Sequence, residues 1–270
     1  MLALAAAHPL LHWQSLWVVV ATFIAGVLNA VAAGGSFLSF PAMLGTGMLP
    51  VHANATNTVA LWPGQFTSIA AYRGDIRKNM RLVYPMALAS VLGGTAGALV
   101  LLNTPQGTFM RLVPWLLFLA ASIFAFSRPM LRWIERRQMA REDGTNRGPR
   151  QPRLLLVFLS MTAICFYVGY FGAGAGFVTI TLLTLFGIDD IHQVNALKVV
   201  STTLANGVAF VVFAFGHQVE WRYCIVAMIA CGIGGYMSAR FARLIPQDVL
   251  RVGVIVLGFS MAAWYFWKTH

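Results

Sequence analysis

Acidic side chains are scarce in this chain: eight Asp and Glu among 270 residues, with charged residues of both signs making up only 10%. A soluble domain carries about 25% charged residues, so a water-soluble fold is excluded. Cysteine is scarce too. Cys165, Cys224 and Cys231 form no C-x-x-C pair and no Cys/His cluster with metal-ligand spacing. They read as small apolar packing residues, and neither a disulfide framework nor a metal is expected. Lys and Arg are missing from residues 1–15, so the basic n-region of a cleaved signal peptide is not expected there. No G-x-x-x-x-G-K-[ST] loop occurs, and "GAGAGF" (172–177) is not G-x-G-x-x-G. No cofactor is expected.

What is abundant is apolar sequence: 59% of residues are hydrophobic and the mean hydropathy is +0.72. Runs at 16–33, 54–71, 82–102, 109–126, 154–171, 195–215, 221–239 and 249–267 approach or exceed the roughly 20 residues that cross a bilayer. Trp13, Trp17, Trp221, Trp264 and Trp267 fall near the ends of these runs, as interfacial belts require.

The net charge of +11 is concentrated between spans: four basic residues at 73–81 and eight arginines at 128–153. That is how cytoplasmic loops are marked, so the basic residues orient the protein and are not read as a nucleic-acid surface. The lipid bilayer is the expected large partner. Residues 128–153 form a basic cytoplasmic linker between two halves, 1–127 and 154–270.

The halves echo each other. Phe37, Gly47 and His52 recur 140 residues later as Phe177, Gly187 and His192. Asn54 recurs as Asn195, Gly93-Gly94 as Gly234-Gly235, and Pro105-Gln106 as Pro246-Gln247, each 141 residues later. In each half a first helix meets a glycine break, Gly34-Gly35 or Gly172–Gly176. A short apolar segment follows (37–47, 177–187), and three full spans complete the half. Whether that segment is re-entrant or crosses by tilting, it adds the same parity, and the odd total inverts the second half. The expected fold is an all-α polytopic membrane protein. It is built of two inverted structural repeats, each a broken or re-entrant helix hairpin followed by three transmembrane helices. Charge alone barely separates this from a parallel duplication. The unbasic N-terminal segment, placed outside, favours inversion, with both termini periplasmic.

Backbone leaves helical geometry at membrane depth only where protein buries it or water reaches it. Paired breaks in inverted repeats are the build of a transporter's central site. The helices after the breaks start near Ser36 and Gly176, and their free N–H groups suit an anion. Gly34, Gly35, Gly174 and Gly176 let the chain turn and a ligand approach the backbone. The competing reading is close helix packing, which is preferred for Gly93-Gly94 and Gly234-Gly235.

Polar side chains open the following span in each half. Asn54 and Asn57 share a helix face, as do Asn195 and Lys198; with Thr202 they are candidate anion ligands or, alternatively, caps and interhelical hydrogen bonds. Lys198 lies within a span, and no carboxylate does. Its partner is then a transported anion, or its ammonium snorkels to the surface. His52 and His192, at matching positions, are candidate proton or gating residues or interfacial caps. Asp189-Asp190 terminate the short helix, or guard one mouth.

"AGGSFLSFPAMLGTGMLPVHANATNT" and its echo "YFGAGAGFVTITLLTLFGIDDIHQVNALKVVST" resemble the TauE/SafE sulfite exporter family, from about Gly26 to Phe266 with the linker left out. The resemblance implies a bacterial inner-membrane carrier of small sulfur-containing anions such as sulfite or organosulfonates. The expected mechanism, read from the paired repeats, is alternating access by rocking of one repeat against the other. A passive anion channel and a carrier of another small organic solute share these features. A non-transporting assembly or receptor subunit is a further alternative. A membrane-embedded enzyme would need a nucleophile–base pair or metal ligands at membrane depth; no intramembrane Asp or Glu, H-E-x-x-H or G-x-S-x-G occurs, so an enzyme is not expected. The small-molecule partner is an anion. The oligomeric state stays open, a homodimer among the options.

Overall fold

The computed structural model describes residues 11–32, 34–65, 69, 72–142, 154–186, 188, 190–241 and 247–269. Asp189, Gly187 and linker residues 143–153 lie outside them, as do the side chains of Trp13 and of linker residues 130–142. Every element among the described residues is helical: α1 (Leu11–Ala32), α2 (Ser36–Leu44), α3 (Pro50–Leu61), α4 (Arg73–Lys78), α5 (Met80–Leu102), α6 (Gln106–Glu142), α7 (Leu154–Tyr170), α8 (Ala175–Leu185), α9 (Ile191–Phe215), α10 (Trp221–Phe241) and α11 (Gln247–Thr269).

Met80–Leu102, Gln106–Phe126 and His192–Phe215 are long and apolar enough to cross a membrane, and further apolar helices are shorter. Large apolar side chains such as Leu155, Phe126, Ile229 and Trp267 face outward. In water such a surface would associate; in lipid it is the natural exterior. α6 is 37 residues long, so its charged end continues past the bilayer into the first part of the linker. α2 has 9 residues and α8 has 11. At 1.5 Å per residue they reach roughly 14 and 16 Å, about half of the hydrocarbon thickness.

One expected span is different. The run 54–71 is not a single helix: α3 ends at Leu61, Trp62 is a bend, and a short helical run resumes at residue 63. Pro63 supplies no N–H for the helical ladder, and its ring crowds the carbonyl four residues back. In the second half, Leu204 stands at the matching position, and α9 continues unbroken to Phe215.

Lipid gives helices no hydrophobic reason to pair, so close packing of small residues does that work. The most extensive pairings are α5 with α7 and α1 with α10. In both, glycines meet the opposite backbone: an added Cβ at Gly93 would strike the Thr162 carbonyl, at Gly97 that of Phe166, at Gly26 that of Cys231 and at Gly234 that of Phe23. The packing role preferred for Gly93-Gly94 and Gly234-Gly235 matches this for Gly93 and Gly234. Gly94 packs on Ala205 of α9.

Contacts at several levels give the helix directions. Gly93 faces Thr162 and Gly97 faces Phe166, so α5 and α7 run the same way. Gly94 meets Ala205 and Leu102 meets Gly216, so α9 runs with α5. His52 and Thr56 meet Glu220, while Leu61 clusters with Cys231, so α3 runs with α10. Ala120 meets Gly174 and Phe124 meets Phe177, so α6 runs with α8. Gly34 meets Val254 and Phe37 meets Gly258, so α2 runs with α11. Trp115 stacks edge-on against Phe266 and Phe118 against Phe259, so α6 opposes α11.

Candidate functional site

The two glycine breaks solve the same problem by different means. After α7, Gly172 (φ +79°) and Gly174 (φ +74°) adopt left-handed conformations, which a Cβ disfavours. They turn the chain sharply into α8. Tyr167 reaches across the turn and donates its hydroxyl to the Ala173 carbonyl at 2.7 Å. After α1, Gly35 has φ −60°, so it is not needed for a left-handed turn. It is needed for space: a Cβ there would meet the Ala25 carbonyl and the Asn29 amide. The Gly35 N–H donates to Asn29 Oδ1 at 2.8 Å.

The helices that follow both start near Phe124, whose ring contacts Phe37 and Phe177 edge-on. At these starts the N–H groups of Phe37, Leu38, Ser39 and Phe177 are taken by nearby carbonyls. The amides of Ser36 and Gly176 have no partner among the described residues. Both residues line a cavity of about 550 Å³, bounded by α1, α3, the α7–α8 turn, α9 and α10.

Lys198 and Thr202 line the same cavity, as do Gly172, Gly174, Thr58, Gln65, Thr203 and Asn206. Among the described residues no Asp or Glu lines it, and Lys198 forms no ion pair. The cavity therefore offers one ammonium and two unpartnered amides with no carboxylate to compete for them. An anion is the species such a set can hold.

Gly34 and Gly35 are buried behind the cavity and are not among its lining residues. Asn54 and Asn57 are 1% and 2% exposed and face protein. Asn54 donates from Nδ2 to the Tyr170 carbonyl at 3.1 Å, tying α3 to the end of α7. Asn57 is hydrogen-bonded to Ser39 at 2.5 Å, tying α3 to α2. Asn195 lies outside the lining as well. His52 lies 3.6 Å from Glu220 at the outer start of α10, and His192 is exposed. Asp190 caps α9, accepting from the His192 backbone N–H at 2.9 Å.

Several lining and framing residues carry no strong sequence signal. The Trp62 indole donates to the Thr203 carbonyl at 2.9 Å, and Asn206 Nδ2 donates to Gln65 Oε1 at 3.2 Å. Each of these pairs is separated by 141 residues, the offset of the internal repeat. Positions matched by the sequence echo therefore meet in space. Intersecting the repeat offset with a search for polar matches could have found Gln65 and Asn206.

A polytopic helical membrane protein with an anion-suited cavity lined by residues of both halves of the chain is the class this geometry defines. The model of the family described as Sulfite exporter TauE/SafE matches residues 18–265, and the chain belongs to that family. It is 26% identical over 242 residues to a "Probable membrane transporter protein" of Haemophilus influenzae, covering 89% of this chain and 90% of that one. It is 25% identical to "Probable membrane transporter protein ORF9" of Sinorhizobium sp, covering 90% and 88%. It is also 25% identical to "Probable membrane transporter protein YfcA" of Escherichia coli K12, covering 92% and 87%. No solved structure matches the chain significantly. The protein is a membrane transporter.

Proposed function

We propose that this chain is a secondary transporter of the bacterial inner membrane that moves a small anion of the sulfite or organosulfonate kind by alternating access. The observation that carries this reading is the cavity that joins Ser36, Gly176 and Lys198 and has no carboxylate in its lining among the described residues. Helix starts present partial positive charge and free donors to an anion, and the lysine adds a full charge. The family description and the relatives' names support transport in place of catalysis.

Alternating access in such folds rests on inverted repeats, and the helix directions support that arrangement. Spans joined by a short loop oppose each other, so α9 opposes α10 across residues 216–220. Since α3 runs with α10 and α5 with α9, α3 opposes its counterpart α9, and α5 opposes its counterpart α10. By the same reasoning α2 opposes α8, and α6 directly opposes α11.

The halves are not equally closed, which a one-sided opening requires. α7 packs on α9, whereas no comparable contact joins the counterparts α1 and α3; the cavity lies between them. α3 and α9 are tied by the Trp62–Thr203 and Gln65–Asn206 bonds. We take α3 and α9 as the unit that rocks between the glycine-locked pairs α1–α10 and α5–α7. The exposed Gly64 and Tyr236 at the cavity's edge lie toward the basic 73–81 segment, so the state is open to the cytoplasm under the positive-inside rule.

The test is flux of radiolabelled sulfite and sulfoacetate into proteoliposomes of the purified protein. Saturable flux with counterflow supports the carrier. Flux that never saturates makes the protein a channel, and no flux of either anion overturns the substrate class.

A further inference from the structure

Tyr167 does not line the cavity, yet it holds both sides of the chain break that borders it. Its main-chain carbonyl accepts from the N–H groups of Phe171 and Gly172 at 2.9 and 3.0 Å, which closes the end of α7. Its hydroxyl donates to the Ala173 carbonyl at 2.7 Å, an ordinary length for such a bond. The amides of a helix's first turn have no α-helical acceptor and can take a carbonyl three residues back instead. Ala175 and Phe177 do so, donating to the Gly172 and Gly174 carbonyls at 3.4 and 3.1 Å. Gly176, between them, does not. The carbonyl three residues back from Gly176 is that of Ala173, the one that Tyr167 holds. One rung is missing from a run of three, and its acceptor is engaged by the phenol.

We infer that Tyr167 is a positioning residue of the anion site: by holding the Ala173 carbonyl it keeps the Gly176 N–H free for the transported anion. The inference rests on the anion-carrier reading above. Ala173 is 2% exposed, and a buried carbonyl without a partner is costly. Once the hydroxyl is removed, the Gly176 N–H is the free donor three residues along the chain. The bond that then completes the turn withdraws that amide from the cavity. Tyr167 touches no ligand itself; it decides which donor satisfies the Ala173 carbonyl.

The test compares full-length wild-type and Tyr167→Phe protein, purified and titrated with sulfite and with sulfoacetate by thermal stabilisation. The variant loses only the hydroxyl. Affinity should fall roughly ten- to hundredfold, the worth of one hydrogen bond to a charged group. The ligand-free melting temperature should change little, because the Ala173 carbonyl exchanges one donor for another. In protein carrying isotope-labelled glycine, the anion should shift the Gly176 amide NMR signal in the wild type and not in Tyr167→Phe. That signal is assigned by its absence from Gly176→Ala. A purely structural brace gives the opposite pattern, a lowered melting temperature with affinity and the Gly176 shift retained, and overturns the proposal. Tyr170→Phe is the control: Tyr170 ends the same helix, lies outside the cavity lining, and its hydroxyl bonds nothing among the described residues, so affinity should hold. If Tyr167→Phe does not yield folded protein, hydrogen exchange in the wild type carries the test. The Gly176 amide should exchange faster than that of Phe177 and slow when sulfite is added; protection before any anion is present overturns the proposal. Wild-type affinity in Tyr167→Phe, alongside weakened binding in Lys198→Met, overturns the role of Tyr167 and leaves the carrier standing. If neither anion stabilises the wild type nor crosses proteoliposomes, both fall together.

Discussion

Replacing Lys198 with methionine separates the two readings of an intramembrane lysine. Methionine fills the volume of the lysine stem and leaves out the charge. A unit charge about 4 Å from an anion at an effective dielectric of 20 gains about 4 kcal/mol, which bounds the effect from above. Desolvation and the remaining donors reduce it to about 1.5–3 kcal/mol, the range for hydrogen bonds to charged groups. Anion affinity should therefore fall by roughly 10- to 150-fold. Without ligand the sign reverses. Lys198 is partly buried within α9 and lacks an ionic partner among the described residues. A centrally placed lysine costs about 2.5–3.5 kcal/mol on insertion scales. Cavity water should discount that to about 1 kcal/mol, so the ligand-free melting temperature should rise by roughly 2 °C. The assay is scanning fluorimetry with and without sulfite and sulfoacetate. A variant with unchanged affinity and a lowered ligand-free melting temperature would refute the site and make Lys198 a structural, snorkelling residue.

Three further outcomes are expected. Gly97→Ala should destabilise by about 1–3 kcal/mol, because its Cβ would press on the Phe166 carbonyl and part α5 from α7; Gly64→Ala, with nothing within 4 Å, should change a chemical-denaturation midpoint little. Gly174→Ala should cost about 1–2 kcal/mol from its left-handed conformation and depress flux more than stability, because the α8 start moves; equal flux at equal expression would contradict that. Single cysteines placed in the 143–153 linker of a chain with Cys165, Cys224 and Cys231 replaced by serine should react with membrane-impermeant maleimide only after the membrane is opened. Labelling in intact cells would reverse the orientation.

The glycine breaks were legible because the bilayer narrows the options. Backbone polar groups must be satisfied within each span, so any interruption stands out against apolar surroundings. Lys198 was legible for the same reason. The asparagines were harder: Asn54 and Asn57 share a face as their spacing requires, but that face meets the Tyr170 carbonyl and Ser39. Helical spacing says which residues lie together and not what lies opposite them. The Trp62-Pro63 break was readable from proline chemistry, yet a hydropathy window averages across it.

Hydropathy and charge placement determine by themselves that this is a polytopic helical membrane protein, because each rests on local chemistry along one span. The tertiary structure alone decided which polar groups face the cavity. Ser36, Gly176 and Lys198 come together from helices of both halves. The Ser36 and Gly176 amides are free because each sits in the first turn of a helix, where no helical carbonyl lies one turn back, whereas the Thr202 hydroxyl is satisfied within its own helix. Which of these groups share one cavity depends on how the helices pack, including the α3–α9 contact between residues 141 positions apart, which no local pattern encodes.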